Sequence, residues 1–164
     1  MRRKIFIVLT IIWMIVIFVF SAKEADDSAR ASNEVGLIIG TIFVPGFEDK
    51  SFEEQMEFAD TIDHPVRKTA HAMEYAILGF LVIGIIYGLK LRVVWQAIIA
   101  WALSTLYAAS DEFHQTFVVG RSGELKDVGL DSAGALAGVL VGILIFKMYY
   151  NRRAKKKERE QLTE

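Results

Sequence analysis

The sequence predicts an all-α, polytopic membrane protein with four transmembrane helices in a compact bundle, and short amphipathic helices in its first external loop. Three observations lead there. Apolar stretches at about 5–22, 68–89, 93–111 and 128–149 each approach the ~20 residues that carry a helix across a bilayer. Basic residues flank these stretches on one side only: Arg2, Arg3 and Lys4, then Lys90 and Arg92, then Arg152, Arg153 and Lys155. Gly134, Gly138 and Gly142 recur every fourth residue in the last stretch, a spacing that lets helices approach closely.

Residues 1–150 read as one membrane domain and residues 151–164 as a basic cytoplasmic tail that continues the last helix. The formal net charge of −1 conceals a strong segregation of charge. With no cysteine, disulfides, thiol chemistry and thiolate metal sites are excluded. The bases gather at the termini and not along a groove, which excludes a nucleic-acid surface and points to membrane orientation.

Met1–Lys4 followed by the apolar run Ile5–Phe20 fits either a retained first transmembrane helix or a secretory signal with a cleavage edge at Val19–Ser21. Retention is expected, because the cleavage edge is weak and further apolar segments follow. Residues 22–66 form an external loop with eleven acids against Lys23, Arg30 and Lys50. Within it, Val35–Phe47 is too short to span and reads as an interfacial or re-entrant helix ended by Pro45–Gly46. Ser51 and Glu54 form a capping box that opens a short helix with Phe52, Met56 and Ala59 on one stripe. His64–Pro65 suits the entrance of the second membrane helix, with Pro65 in its first position. The positive-inside rule then places both termini in the cytoplasm and residues 22–66 and 111–127 outside.

Chemistry-bearing residues cluster at the outer ends of the last three membrane helices. Arg67, His71 and Glu74 share a face of the second helix, with Lys68 and Tyr75 on an overlapping edge. Lys68 alone is well explained by snorkelling to headgroups. His71 and Glu74 lie deeper, where ionisable groups are costly and face protein or a wet cavity. Tyr107, Asp111, His114 and Gln115 follow the same spacing on the third helix, and Asp111 with His114 also fits a structural pair. Glu112 points about 100° away, toward solvent or a neighbour. Asp127 and Asp131 lead into the glycine seam and should face the bundle. Like charges this close resist joint ionisation unless Arg67, Arg121 or a cation lies between them. An ion-pair network is therefore expected across the outer helix ends, with Gly120 and Gly123 making the Arg121 loop adaptable. No metal-site signature stands out: the spacing around His114 lacks the paired histidines of zinc proteases.

The combination Arg67-Lys68-Thr-Ala-His71, Asp111-Glu112-Phe-His114-Gln115, Gly120-Arg121 and Asp127-Val-Gly-Leu-Asp131-Ser-Ala-Gly134 resembles the VanZ-like family of small bacterial membrane proteins. Phe20-Ser21 and the serines at 28 and 32 also fit, and the likeness covers roughly residues 5–145. It implies a multi-pass protein of the bacterial cytoplasmic membrane with an envelope-related role. The family's namesake is associated with resistance to the glycopeptide teicoplanin, by a route that leaves the peptidoglycan precursor unaltered. No reaction or cofactor comes with the resemblance. The residues it carries over are Arg67, Lys68, His71, Glu74, Tyr75, Asp111, Glu112, His114, Gln115, Arg121, Asp127 and Asp131.

Three functions compete at this stage. The first is recognition of an anionic envelope lipid, an isoprenoid carrier among the candidates, or of a glycopeptide-related ligand; Arg67, Lys68 and Arg121 hold it, and Asp111, Asp127 and Asp131 orient those bases. The second is an enzyme acting on a phosphate-containing or glycosyl lipid, with His71, His114, Asp111 and Asp131 as candidates for acid–base work. The third is a structural protein whose polar network locks the helices and presents residues 22–66 to a partner.

Overall fold

The computed structural model describes residues 2–121 and 123–161, so the last three residues of the expected tail lie outside the described region. Five helices follow in order: α1 Arg2–Ser21, α2 Ala25–Phe43, α3 Phe52–Ile86, α4 Val93–Gln115 and α5 Leu125–Gln161. A single 3₁₀ turn, Phe47–Asp49, joins α2 to α3. α1, α3, α4 and α5 are each long and apolar enough to cross a membrane. Their outward faces carry exposed Ile5, Val8, Ile12, Val94, Leu103 and Leu140, the surface that lipid requires.

α3 is the hub and packs against all four other helices. Its closest partner is α5, and glycine is the reason. A Cβ on Gly134 or Gly138 would overlap the carbonyl oxygens of Ala72 and Ala76, and one on Gly79 would overlap that of Ala135. The seam expected from the four-residue spacing therefore faces the bundle and brings two backbones together. Below it, Leu78, Val82, Ile83, Val139 and Phe146 build the buried core.

α1 is fixed at two levels. At mid-height, Trp13 Nε1 donates to the Glu74 carbonyl at 2.9 Å. Tyr107 Oη donates to the Met14 carbonyl at 2.7 Å. At its first turn, Arg2 donates to the Tyr87 carbonyl. The Arg2 guanidinium also lies 5.3 Å from the Phe146 ring and 5.4 Å from that of Tyr150. Gln96, buried at the start of α4, clamps the turn between α3 and α4. It accepts from Gly88 N at 3.1 Å and donates to the Leu91 carbonyl at 2.7 Å. Nothing in the sequence singles out Gln96, a lone amide in an apolar run.

Two expectations for residues 22–66 are corrected. The capping box forms, with Ser51 N donating to Glu54 Oε2 at 2.9 Å. The helix it opens does not stop before Pro65; α3 runs unbroken for 35 residues. Pro65 and Thr61 both sit on the exposed side, so the Thr61 carbonyl that loses its intrahelical donor reaches water. Asp63 and Arg67 pair across the proline and bridge the weakened turn. The apolar stretch expected at 35–47 belongs to a longer helix, Ala25–Phe43, lying lengthwise along α3. Its buried side is small, with Ser32, Gly36 and Gly40, and Gly36 sits against Ala59. Ser32 donates to Asp63, and Asn33 Nδ2 donates to Asp60 at 2.6 Å. α2 ends as expected, before Pro45 and a left-handed Gly46.

Candidate functional site

At the end of the bundle away from Arg2, the helices diverge around a cavity of about 290 Å³. It has two chemically distinct walls. α3 contributes His64, Arg67, Lys68 and His71. The end of α4 and the start of α5 contribute Glu112, Gln115, Glu124, Asp127 and Asp131. Arg121 reaches in from the α4–α5 loop. Gly120 precedes it at φ 76°, a left-handed conformation that few other residues adopt, and so aims the loop inward.

Each cation is held by protein and retains free donors. Arg67 pairs with Asp63. Lys68 Nζ lies 2.5 Å from Asp127 Oδ1, joining α3 to α5. Arg121 Nη1 donates to Gln115 Oε1 at 3.1 Å, and its Nη2 donates to Ser28 on α2. Arg121 Nε is buried with no hydrogen-bond partner. Burial first, and then the neighbouring Arg67 charge, push the Arg121 guanidinium below its ordinary range.

The acidic wall is less completely matched. Glu112 takes the second of its two expected settings and faces a neighbour: it is buried and accepts from Glu124 N at 2.6 Å, which fastens the end of α4 to the start of α5. Asp131 is 3% exposed and its Oδ1 has no hydrogen-bond partner. The expected network therefore forms only in part: Asp127 orients Lys68, whereas Asp111 and Asp131 orient none of the three bases. The supports of Arg67 and Arg121 are instead Asp63, Gln115 and Ser28.

Four of the expected residues do not line the cavity. Tyr75 and Asp111 are buried in the bundle, with the Tyr75 hydroxyl facing the Asp111 carboxylate. Asp111 Oδ2 accepts from Gln115 Nε2 at 3.3 Å. Glu74 lies 3.5 Å from His71 Nδ1. His114 does not pair with Asp111; its ring packs 4.6 Å from that of Phe18, and its Nδ1 is buried and unmatched. Of the two candidate general bases, only His71 lines the cavity. Among the described residues, no group of three histidine, aspartate or glutamate side chains is placed to hold a metal ion.

Sequence reasoning missed His64, Glu124 and Asp63. His64 and Glu124 carried no spacing signal. Asp63 stands four residues before Arg67, but a helix thought to begin at Pro65 hides that relation. Ser28 was noticed only through family likeness.

An all-α bundle with four apolar spans defines a polytopic membrane protein, here with a polar cavity at its helix ends. The VanZ/LLP1 family model matches residues 6–147, so the chain belongs to that family. No curated protein and no solved structure matches it.

Proposed function

We propose that the cavity holds the phosphate of an envelope lipid headgroup at the outer face of the bacterial cytoplasmic membrane. The observation that carries this reading is the set of uncommitted donors around one small space. Arg67 and Lys68 each spend one donor on a carboxylate, and Arg121 spends two on neutral oxygens. A guanidinium fork anchored by its neighbours is suited to bidentate phosphate binding. A phosphate between Arg67 and Arg121 also relieves their mutual repulsion. The cavity, about 290 Å³, lies at the small end of the ~300–1,000 Å³ range of ligand sites. That size suits a headgroup better than a glycopeptide.

Placement at the outer face rests on charge. Arg2, Lys90, Arg92 and the tail bases all lie at the opposite end and belong in the cytoplasm with both termini. A purely structural network is disfavoured by Asp131, whose buried Oδ1 a lock built for stability alone leaves matched. A link to teicoplanin-type resistance fits as a consequence, because holding lipid headgroups alters the surface such a drug meets.

Native mass spectrometry of mildly purified protein tests the proposal. Wild type should retain a stoichiometric phospholipid that the Arg67→Ala/Arg121→Ala variant releases. A wild type without lipid, under conditions where a control membrane protein keeps its own, removes the basis of the reading.

A further inference from the structure

The two walls differ in sign, and that difference constrains the ligand beyond its phosphate. The α3 wall offers only bases and histidines, while the α4–α5 wall offers carboxylates and one amide. The carboxylates on that wall outnumber the cations around the whole cavity, four to three. A ligand that is anionic throughout meets repulsion on one side. Asp131 sharpens the point. It lines the cavity, is 97% buried by its 3% exposure, and has neither a hydrogen bond nor an ion pair. None of the cavity's three cations pairs with it: Lys68 bonds to Asp127, Arg67 to Asp63, and Arg121 to Gln115 and Ser28. A buried, unmatched carboxyl group either keeps a proton or meets a cationic donor. A hydroxyl suits only the protonated form; an ammonium in the cavity supplies charge and donor together and holds the ionised one.

We infer that the ligand is a compact zwitterion, a phosphate linked to a primary ammonium, with the phosphate toward Arg67 and Arg121 and the ammonium toward Asp131. This rests on the phosphate reading above and narrows it, replacing a generally anionic lipid with an amino-phosphate headgroup. The same chemistry occurs in an aminophospholipid and in free phosphoethanolamine.

Titration of the full-length protein in detergent tests the inference, with phosphoethanolamine compared with monoethyl phosphate, which keeps the phosphate and the chain length but lacks the amine. Wild type should prefer phosphoethanolamine by about tenfold or more, the worth of one charge-assisted contact. Asp131→Asn should abolish the preference. Equal binding of the two by wild type overturns the zwitterion while the phosphate reading stands. A preference that survives in Asp131→Asn overturns the role of Asp131. Binding of neither, together with no retained phospholipid in native spectra, overturns the phosphate reading and the inference with it. The wild-type comparison holds even where the variant fails to fold. The source is identified with nanodiscs of phosphatidylethanolamine or phosphatidylglycerol. Selective retention of the former without uptake of free phosphoethanolamine supports the inference with a lipid source. Uptake of the free compound with no lipid selectivity supports it with a soluble source.

Discussion

Arg121 is the residue on which the site turns, because it is the one cation delivered by a loop and held by neutral partners on two helices. Replacing it with alanine removes charge-assisted bonds worth about 1.5–3 kcal/mol, so phosphate affinity should fall about 10- to 100-fold. Arg121→Lys should recover only part of that loss, since the ammonium keeps the charge without the fork. Calorimetric titration of both variants with monoethyl phosphate separates the two contributions. Lys68 and Asp127 behave differently. Their side chains are 29% and 31% exposed, so solvent screens the pair. A double-mutant cycle of Lys68→Met and Asp127→Asn should give a coupling close to zero in unfolding experiments. Much of this was legible in the sequence: the four-residue spacings put Arg67 with His71 and Asp127 with Asp131. Which groups pair was not legible, because partners depend on how neighbouring helices are rotated. Asp131 and His114 look alike as polar residues at helix ends, yet one lines the cavity and the other packs on Phe18.

At the scale of elements, the α3–α5 contact is the closest approach of two backbones in the bundle. Gly138→Leu should force the two helices apart and cost about 1–3 kcal/mol, read as unfolding of the detergent-solubilised protein on titration with sodium dodecyl sulfate. Gly129→Ala, on the same helix with nothing within 4 Å of the new Cβ, is the matched control. It should be neutral or stabilising by up to about 1 kcal/mol. The glycine seam could be read directly because small residues at helical spacing have few other uses. α2 was harder to see for a related reason. Its buried side consists of Ser32, Gly36 and Gly40, so burial leaves no stripe of large apolar residues to find. α3 was split at Pro65 because proline is favoured at the first position of a helix; it is continuous because the proline lies on a wet face and Asp63–Arg67 spans the turn.

For the molecule as a whole, length decides what stands outside the bilayer. α3, with 35 residues, is about 52 Å long at ~1.5 Å per residue. A hydrocarbon core of ~30 Å covers little more than half of it. We expect its first turns, with α2 packed along them, to project from the outer face as a helical hairpin that walls the approach to the cavity. The chain has no native cysteine, which makes single-cysteine labelling clean. Thr61→Cys should react with a membrane-impermeant maleimide in intact cells, and Asn151→Cys only after permeabilisation. The reverse pattern inverts the topology. The sidedness proposed here comes from the basic flanks alone, which bear on orientation independently of packing. The opposed signs of the cavity walls were not readable, since they arise only when α3 faces α4 and α5 across the same space.

The most direct measurement is solid-state NMR of the reconstituted protein with ¹⁵N-labelled arginine, reading dephasing of guanidinium nitrogen by ³¹P. The account predicts a phosphorus within hydrogen-bonding reach of the Arg121 guanidinium, with the signal absent in Arg121→Lys. Retained phospholipid with no such contact in the wild type contradicts it.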